Sequence, residues 1–329
     1  MRFVRAAAVV AAAAMLAGCA GGHVLGGPPG TLPSAPGAST RPHGGSWMSP
    51  AAQSAELLYV SDTGGRVYAY SYPAGDHIGT LTGFKGPEGL CSDSAGNVYV
   101  IDTPAGAVFK YAHGGTKPIE KLPVFGYYPE GCSVDPVTGD LAVADYASNP
   151  KVGPGAVTIY KNGKGMGKSY QDSSFGEYFF CSYDAKGNLY VDGTNVGTTQ
   201  ALLAEVPHGS TLFTNITLDK KVGPYPLGVQ WDGKYVALQT STRALYRIKV
   251  IGSAGNIVAT TRFEGDRSDL VAQFWIAGRT IVIPYGSGRR VVKEIGFWPY
   301  PDGGAQSKSI RAPHLTAELF GTTLSAAQK

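Results

Sequence analysis

The chain carries the tripeptide Pro-Glu-Gly twice, at Pro87-Glu88-Gly89 and Pro129-Glu130-Gly131. Glutamate has no special role in turns, unlike Asp, Asn or Gly, so a carboxylate held twice in this setting suggests contact with a ligand. Glu177 stands in a comparable segment, offset in register, and Asp269 is a further acid later in the chain. Tyr128, Tyr178 and Tyr225 lie beside or just ahead of segments of the same kind. Carboxylates and tyrosines around one opening suit a sugar, a peptide or a hard divalent cation such as Ca2+. Acids crowded without a cation repel each other, so spacing, a bound cation or raised pKa values must relieve them. Asp62, Asp102, Asp145 and Asp192 each close a short apolar run, and a recurring Asp is expected to cap a turn.

Other chemistry finds little support. His77, His113 and His208 fall in separate turns, and no pair of histidines has the HxxxH or HxH spacing of a metal site. His314 is isolated in sequence, which leaves a Ser-His-Asp arrangement without its base. No Gly-rich stretch follows a strand and opens a helix, so nucleotide phosphate binding is unsupported. A formal charge of +4 gives no strong drive toward nucleic acid. No catalytic residue is assigned.

The elements that must position these residues follow from composition and period. Charged residues make up only 16% of the chain, against about 25% in ordinary domains. Forty-six Gly and 19 Tyr suit many tight turns and strands rather than a helical bundle. A short apolar strand recurs around Tyr59, Tyr99, Ala142, Tyr190, Val236 and Val282, at intervals of 40 to 48 residues. Most copies follow a turn with Gly at its centre, such as Ala95-Gly96-Asn97 or Lys186-Gly187-Asn188. One strand lies upstream of each turn and two more lie downstream. Four short antiparallel strands per repeat, six times over, predict an all-β, six-bladed β-propeller. The first repeat lacks its innermost strand. Phe320-Gly321-Thr322-Thr323-Leu324-Ser325 resembles Pro87-Glu88-Gly89-Leu90-Cys91-Ser92 closely enough to be that strand, closing the ring from the C-terminus. The alternative is a frayed C-terminal tail.

The N-terminus reads as an address. Arg2 and Arg5 precede an apolar run from Ala6 to Leu16, too short to span a bilayer with ease. Leu16-Ala17-Gly18-Cys19 resembles a bacterial lipobox, which implies cleavage before Cys19 and a lipid on its sulfur. The expected organisation is a signal peptide over 1–18, an anchor and flexible linker over 19–55, and the propeller over 56–329. The expected location is the cell envelope, at the outer membrane or cell surface. Trp47 and Met48 break the Gly/Pro/Ser/Ala composition of the linker and are candidates for docking on the domain.

The stretch Gly86-Pro87-Glu88-Gly89-Leu90-Cys91-Ser92-Asp93-Ser94-Ala95-Gly96-Asn97-Val98-Tyr99-Val100 resembles an NHL-type repeat, and looser copies start at Pro129 and Cys181. Similar repeats occur in streptogramin lyases and gluconolactonase-type propellers. The resemblance implies fold more than function. A lyase of the first type needs a histidine near the channel, and none falls there. A lactonase of the second type needs a Glu, an Asn and an Asp on one divalent cation. Glu88 or Glu130 with Asp269 fits in part, but no motif marks the Asn. Two readings remain. One is a monomeric, lipid-anchored module that binds a small molecule, glycan or protein on its funnel face without catalysis. The other is a divalent-cation-dependent lactonase or lyase.

Cys91, Cys132 and Cys181 all fall on innermost strands. Counted back from the following Asp, Cys132 and Cys181 share a parity, so their side chains leave the same side of their blades and cannot meet. Cys91 has the opposite parity, which permits a Cys91–Cys132 bridge near the narrow channel. Three buried thiols are the alternative.

Overall fold

A computed structural model of the chain describes residues 45–126, 128–147, 154–242, 244–264, 273–287, 292–311, 313–315 and 317–327. Cys19, Asp269, the leader and most of the linker lie outside the described residues. The rest forms six antiparallel sheets arranged as the blades of a propeller. Among the described residues there is no α-helix, only three short 3-10 turns.

Each blade is built around a second strand that is apolar on both sides, as in Val98–Asp102, where all five residues are buried. Such a strand can be stable only between two partners in its own sheet and two neighbouring blades. Blade two runs outward through Pro87–Ser92, Val98–Asp102, Ala107–Tyr111 and Pro118–Pro123. Its outermost strand carries Pro at both ends, which removes N–H donors from an exposed edge. Blades three, four and six repeat the four-stranded plan. Blade five adds Thr217–Leu218, pairing in parallel with its outermost long strand, Ala254–Arg262.

Blade one is composite. Its innermost strand is Leu319–Ser325, antiparallel to Leu57–Asp62. The C-terminus therefore closes the ring. On the other side of the same blade, Trp47–Met48 pairs with His77–Thr82 as a fifth strand. The folded part thus begins before residue 56, where the linker was expected to end. Ser46 anchors the entry, since its hydroxyl accepts from Thr82 N at 2.9 Å.

Glycine explains how tightly the innermost strands converge. A Cβ on Gly89 would lie 1.9 Å from the Glu130 carbonyl oxygen, and one on Gly321 would lie 2.2 Å from that of Glu88. The Glu-Gly and Phe-Gly pairs of the repeat therefore let neighbouring backbones touch around the axis.

Cys91 and Cys132 form a disulfide across the seam of blades two and three, with Cα atoms 5.6 Å apart. Cys181 is free and buried; its Sγ lies 3.7 Å from Ala142 O of blade three, and burial pushes its thiol pKa up. The bridge closes a 41-residue separation, for which ~2–4 kcal/mol of stabilisation is typical. Replacing both cysteines with serine should lower Tm by roughly 4–16 °C, at ~2–4 °C per kcal/mol for a large domain. Thermal melts with and without reductant check this. The reduced parent should match the double variant, and an unchanged Tm in both would show that the seam does not depend on the bridge.

Candidate functional site

One face of the ring collects the loops that lead into the innermost strands and those that follow the second strands. Three of the recurrent aspartates brace these loops. Asp102 accepts from Lys85 N and Gly86 N at 2.9–3.1 Å. Asp145 accepts from Tyr128 N at 2.8 Å. Asp192 accepts from Phe180 N at 2.6 Å. Asp62 instead caps its own hairpin, accepting from Arg66 N at 3.0 Å and from the Tyr68 hydroxyl at 2.8 Å. Turn capping thus accounts for most of what these aspartates do.

The glutamates gather at the channel mouth. Glu88 and Glu130 occupy the same place on adjacent innermost strands, and the charges acting on Glu130 come from Glu88, Asp192, Glu177 and Asp145. Burial, then these like charges, hold the Glu130 carboxyl well above the usual carboxylate range. Glu130 keeps part of its surface open to the channel, so its burial is one of depth. Burial also pushes Glu88 up to about 7, against a hydrogen bond from Thr103. It pushes Asp192 up to about 8, against backbone N–H groups of Phe180 and Gly228. One oxygen of each of these three carboxylates, Glu88 Oε2, Glu130 Oε2 and Asp192 Oδ2, is inaccessible and has no hydrogen-bond partner. Glu177 is better served, accepting from the Tyr146 hydroxyl and from Thr194 Oγ1 at 3.0 Å.

Aromatic residues surround this cluster. Tyr128 is 42% exposed and meets Tyr146 edge-on at 6.1 Å; Tyr146 meets Phe179 at 5.3 Å. Phe125 and Tyr225 stand exposed on the same face, at 59% and 45%. Tyr225 holds a φ of +48° in the loop before its strand, a conformation uncommon for a bulky residue. Tyr178 does not join the rim. It is fully buried, stacked on Phe175 at 4.4 Å, with its hydroxyl bonded to the Asp172 backbone. Two register shifts in the strand Phe175–Tyr183 turn it into the space between blades while Glu177 keeps the channel side.

The mouth is bounded below. Phe320 of blade one reaches across the ring to Phe180 of blade four, with ring centroids 6.3 Å apart. The Gln273 amide bridges both backbone groups of Leu90 at 2.8–2.9 Å. A separate cavity of about 590 Å3 opens on the opposite face, lined by Tyr183, Trp231, Trp275 and the disulfide. Its carboxylates are occupied by turns: Asp93 accepts from Ala95 N and Asn97 N, and Asp184 from Lys186 N and Asn188 N. Glu88, Glu130 and Asp192, each with one partnerless oxygen, do not line this cavity. Among the described residues, no group of three or more His, Cys, Asp or Glu is placed to hold a metal ion.

Histidine placement differs from expectation. His77 opens the outer strand of blade one, and His314, far from it in sequence, stacks on it at 4.1 Å. Tyr70 OH lies 2.9 Å from His314 Nε2. This aromatic cluster joins residues from near the two ends of the described chain.

No protein-family model matches the chain, and no curated protein matches it either. Solved structures do. A chain from the crystal structure of a nidogen/laminin complex aligns with a TM-score of 0.65 at 14% identity, over 83% of this chain and 100% of that one. A protein of unknown function from Bacteroides caccae aligns with a TM-score of 0.61 at 13% identity, over 83% and 99%. The fold is a six-bladed β-propeller. Identities this low carry the architecture and nothing finer.

Proposed function

We propose that this is an exported, lipid-anchored binding module that receives a partner protein on its funnel face. The observation that carries the reading is the pairing of partnerless buried carboxylate oxygens with a rim of exposed aromatic residues at one channel mouth. Exposed aromatics ringed by polar groups are the usual anchors of protein interfaces. The solved neighbour from a complex of two proteins supports the same direction. Export is supported by the disulfide, which persists in oxidising compartments. The anchor rests on Leu16-Ala17-Gly18-Cys19, with Cys19 as the lipidated residue.

Site-specific photo-crosslinking in the producing cells tests the face. A crosslinking residue in place of Phe125, Tyr128 or Tyr225 should yield discrete protein adducts. The same residue in place of Val137 or Met166, exposed in turns of the opposite face, should not. Adducts from the opposite face alone would overturn the reading.

A further inference from the structure

We propose that the channel mouth is a socket for one cationic side chain on an apolar stem, a lysine or arginine of the partner. This rests on the binding reading above and names the group that enters. Five residues face the axis at one level of the innermost strands. Glu88 and Glu130 come from blades two and three; Phe179, Leu227 and Phe320 come from blades four, five and one. All five retain partial exposure, so solvent reaches them. The mouth is therefore acidic on one side and apolar on the other.

That asymmetry decides the occupant. Among the described residues, the charged groups acting on Glu130 are carboxylates: Glu88 and Asp192, then Glu177 and Asp145. Glu318 adds a further negative charge near Glu88. Asp192 is fully buried, and its Oδ2 has no partner. Unpartnered carboxylate oxygens at a buried site call for N–H donors that carry positive charge. A bare Ca2+ ion would need six to eight oxygens around it, whereas among the described residues Phe179, Leu227 and Phe320 fill the three positions beside the two glutamates. A lysine or arginine fits both halves, because its methylenes lie along apolar surface while its head meets the carboxylates. Phe320 meets Phe180 across the ring and Gln273 bridges Leu90, two residues beyond Glu88, so side chains cross the channel next to the mouth, which suits an entering side chain and not a threaded polymer.

The full-length protein in detergent micelles is titrated calorimetrically with N-acetyl-lysinamide, N-acetyl-argininamide, the neutral isostere N-acetyl-norleucinamide, and CaCl2. Both cationic amides should bind, at least about tenfold more tightly than the neutral one. Binding should release protons at pH 7 and tighten toward pH 8.5, because the cation favours the ionised carboxylates. Glu130→Gln and, independently, Asp192→Asn should each weaken binding by about tenfold. Equal affinity for the norleucine amide, no loss in either folded variant, or tighter competing binding of Ca2+ would overturn the proposal. If no amide binds while the rim positions still crosslink, the cationic occupant falls and the binding face stands. If neither occurs, both fall.

Discussion

Deletion of residues 319–329 should abolish cooperative folding, or lower Tm by more than about 10 °C. The segment is the innermost strand of blade one, and Leu319 to Ser325 are buried apart from Phe320. Its removal strips Leu57–Asp62 of a partner along its length, although all six of those side chains are buried. It also breaks the ring to blade two. Ser92 Oγ donates to Leu324 O at 2.5 Å, and the Ser325 hydroxyl bridges Gly96 O and His113 Nδ1. Losing one buried Leu costs about 2–5 kcal/mol, and this deletion removes Leu319 and Leu324 together with the strand's hydrogen bonds. The loss is comparable with the whole stability of a typical domain, about 5–15 kcal/mol. A circular-dichroism melt of the truncated protein checks it. A transition within about 2 °C of the full chain would mean that the blades hold without closure.

The blade count is legible in sequence because the second strand of each repeat is sealed on every side. Residues such as Val98-Tyr99-Val100 or Leu141-Ala142-Val143 must be apolar in succession, and nothing on the surface competes with that pattern. Closure is legible for the same reason: Phe320-Gly321 stands where Glu88-Gly89 and Glu130-Gly131 stand, and the glycine is required wherever innermost backbones touch. That equivalence also places Phe320 at the mouth, and with it the apolar half of the site. Parity along the strands permits the Cys91–Cys132 pairing but does not choose it over free thiols; the narrowness of the channel at that point does. Tyr178 is misread because its strand carries two bulges, and a single extra residue reverses the faces of all that follow. The stacked pair of His77 and His314 is illegible, since the two residues meet only where the ends of the chain come together. Asp192 shows the limit of repeat logic. It resembles the capping aspartates, yet it stands one place earlier in its strand than Asp102 or Asp145 and is fully buried, close enough to Glu130 to oppose its charge.

Between pH 6.5 and 8.5 the unliganded protein should lose stability as the pH rises, and Glu130→Gln should flatten that slope. Glu88, Glu130 and Asp192 all have pKa values raised in the folded state, to about 7 for Glu88 and about 8 for Asp192. An acid of this kind binds its proton more tightly when folded. Its contribution is fully present below the unfolded pKa near 4 and is lost as the pH climbs through the folded value. Asp232 and Glu294 have lowered values and act in the opposite sense, but only at acid pH. His113, lowered by burial, also opposes the trend, below about 6.5. Above that value the mouth carboxylates lead, with Glu205 and, near pH 8.5, the buried Cys181 thiol adding in the same sense; the Glu130→Gln comparison separates the mouth from both. One proton of difference is worth about 1.4 kcal/mol per pH unit, so the span should cost on the order of 1–3 kcal/mol, or several degrees of Tm. Glu130→Gln keeps the shape and removes the charge that four other carboxylates oppose. Its Tm should approach the parent's near pH 4, where the parent's carboxyl is protonated folded and unfolded alike, and exceed it increasingly toward pH 8.5. Parallel melting curves for parent and variant across the window would show instead that the mouth carboxylates ionise without strain, as they would if water or a counter-ion already satisfied the open oxygens.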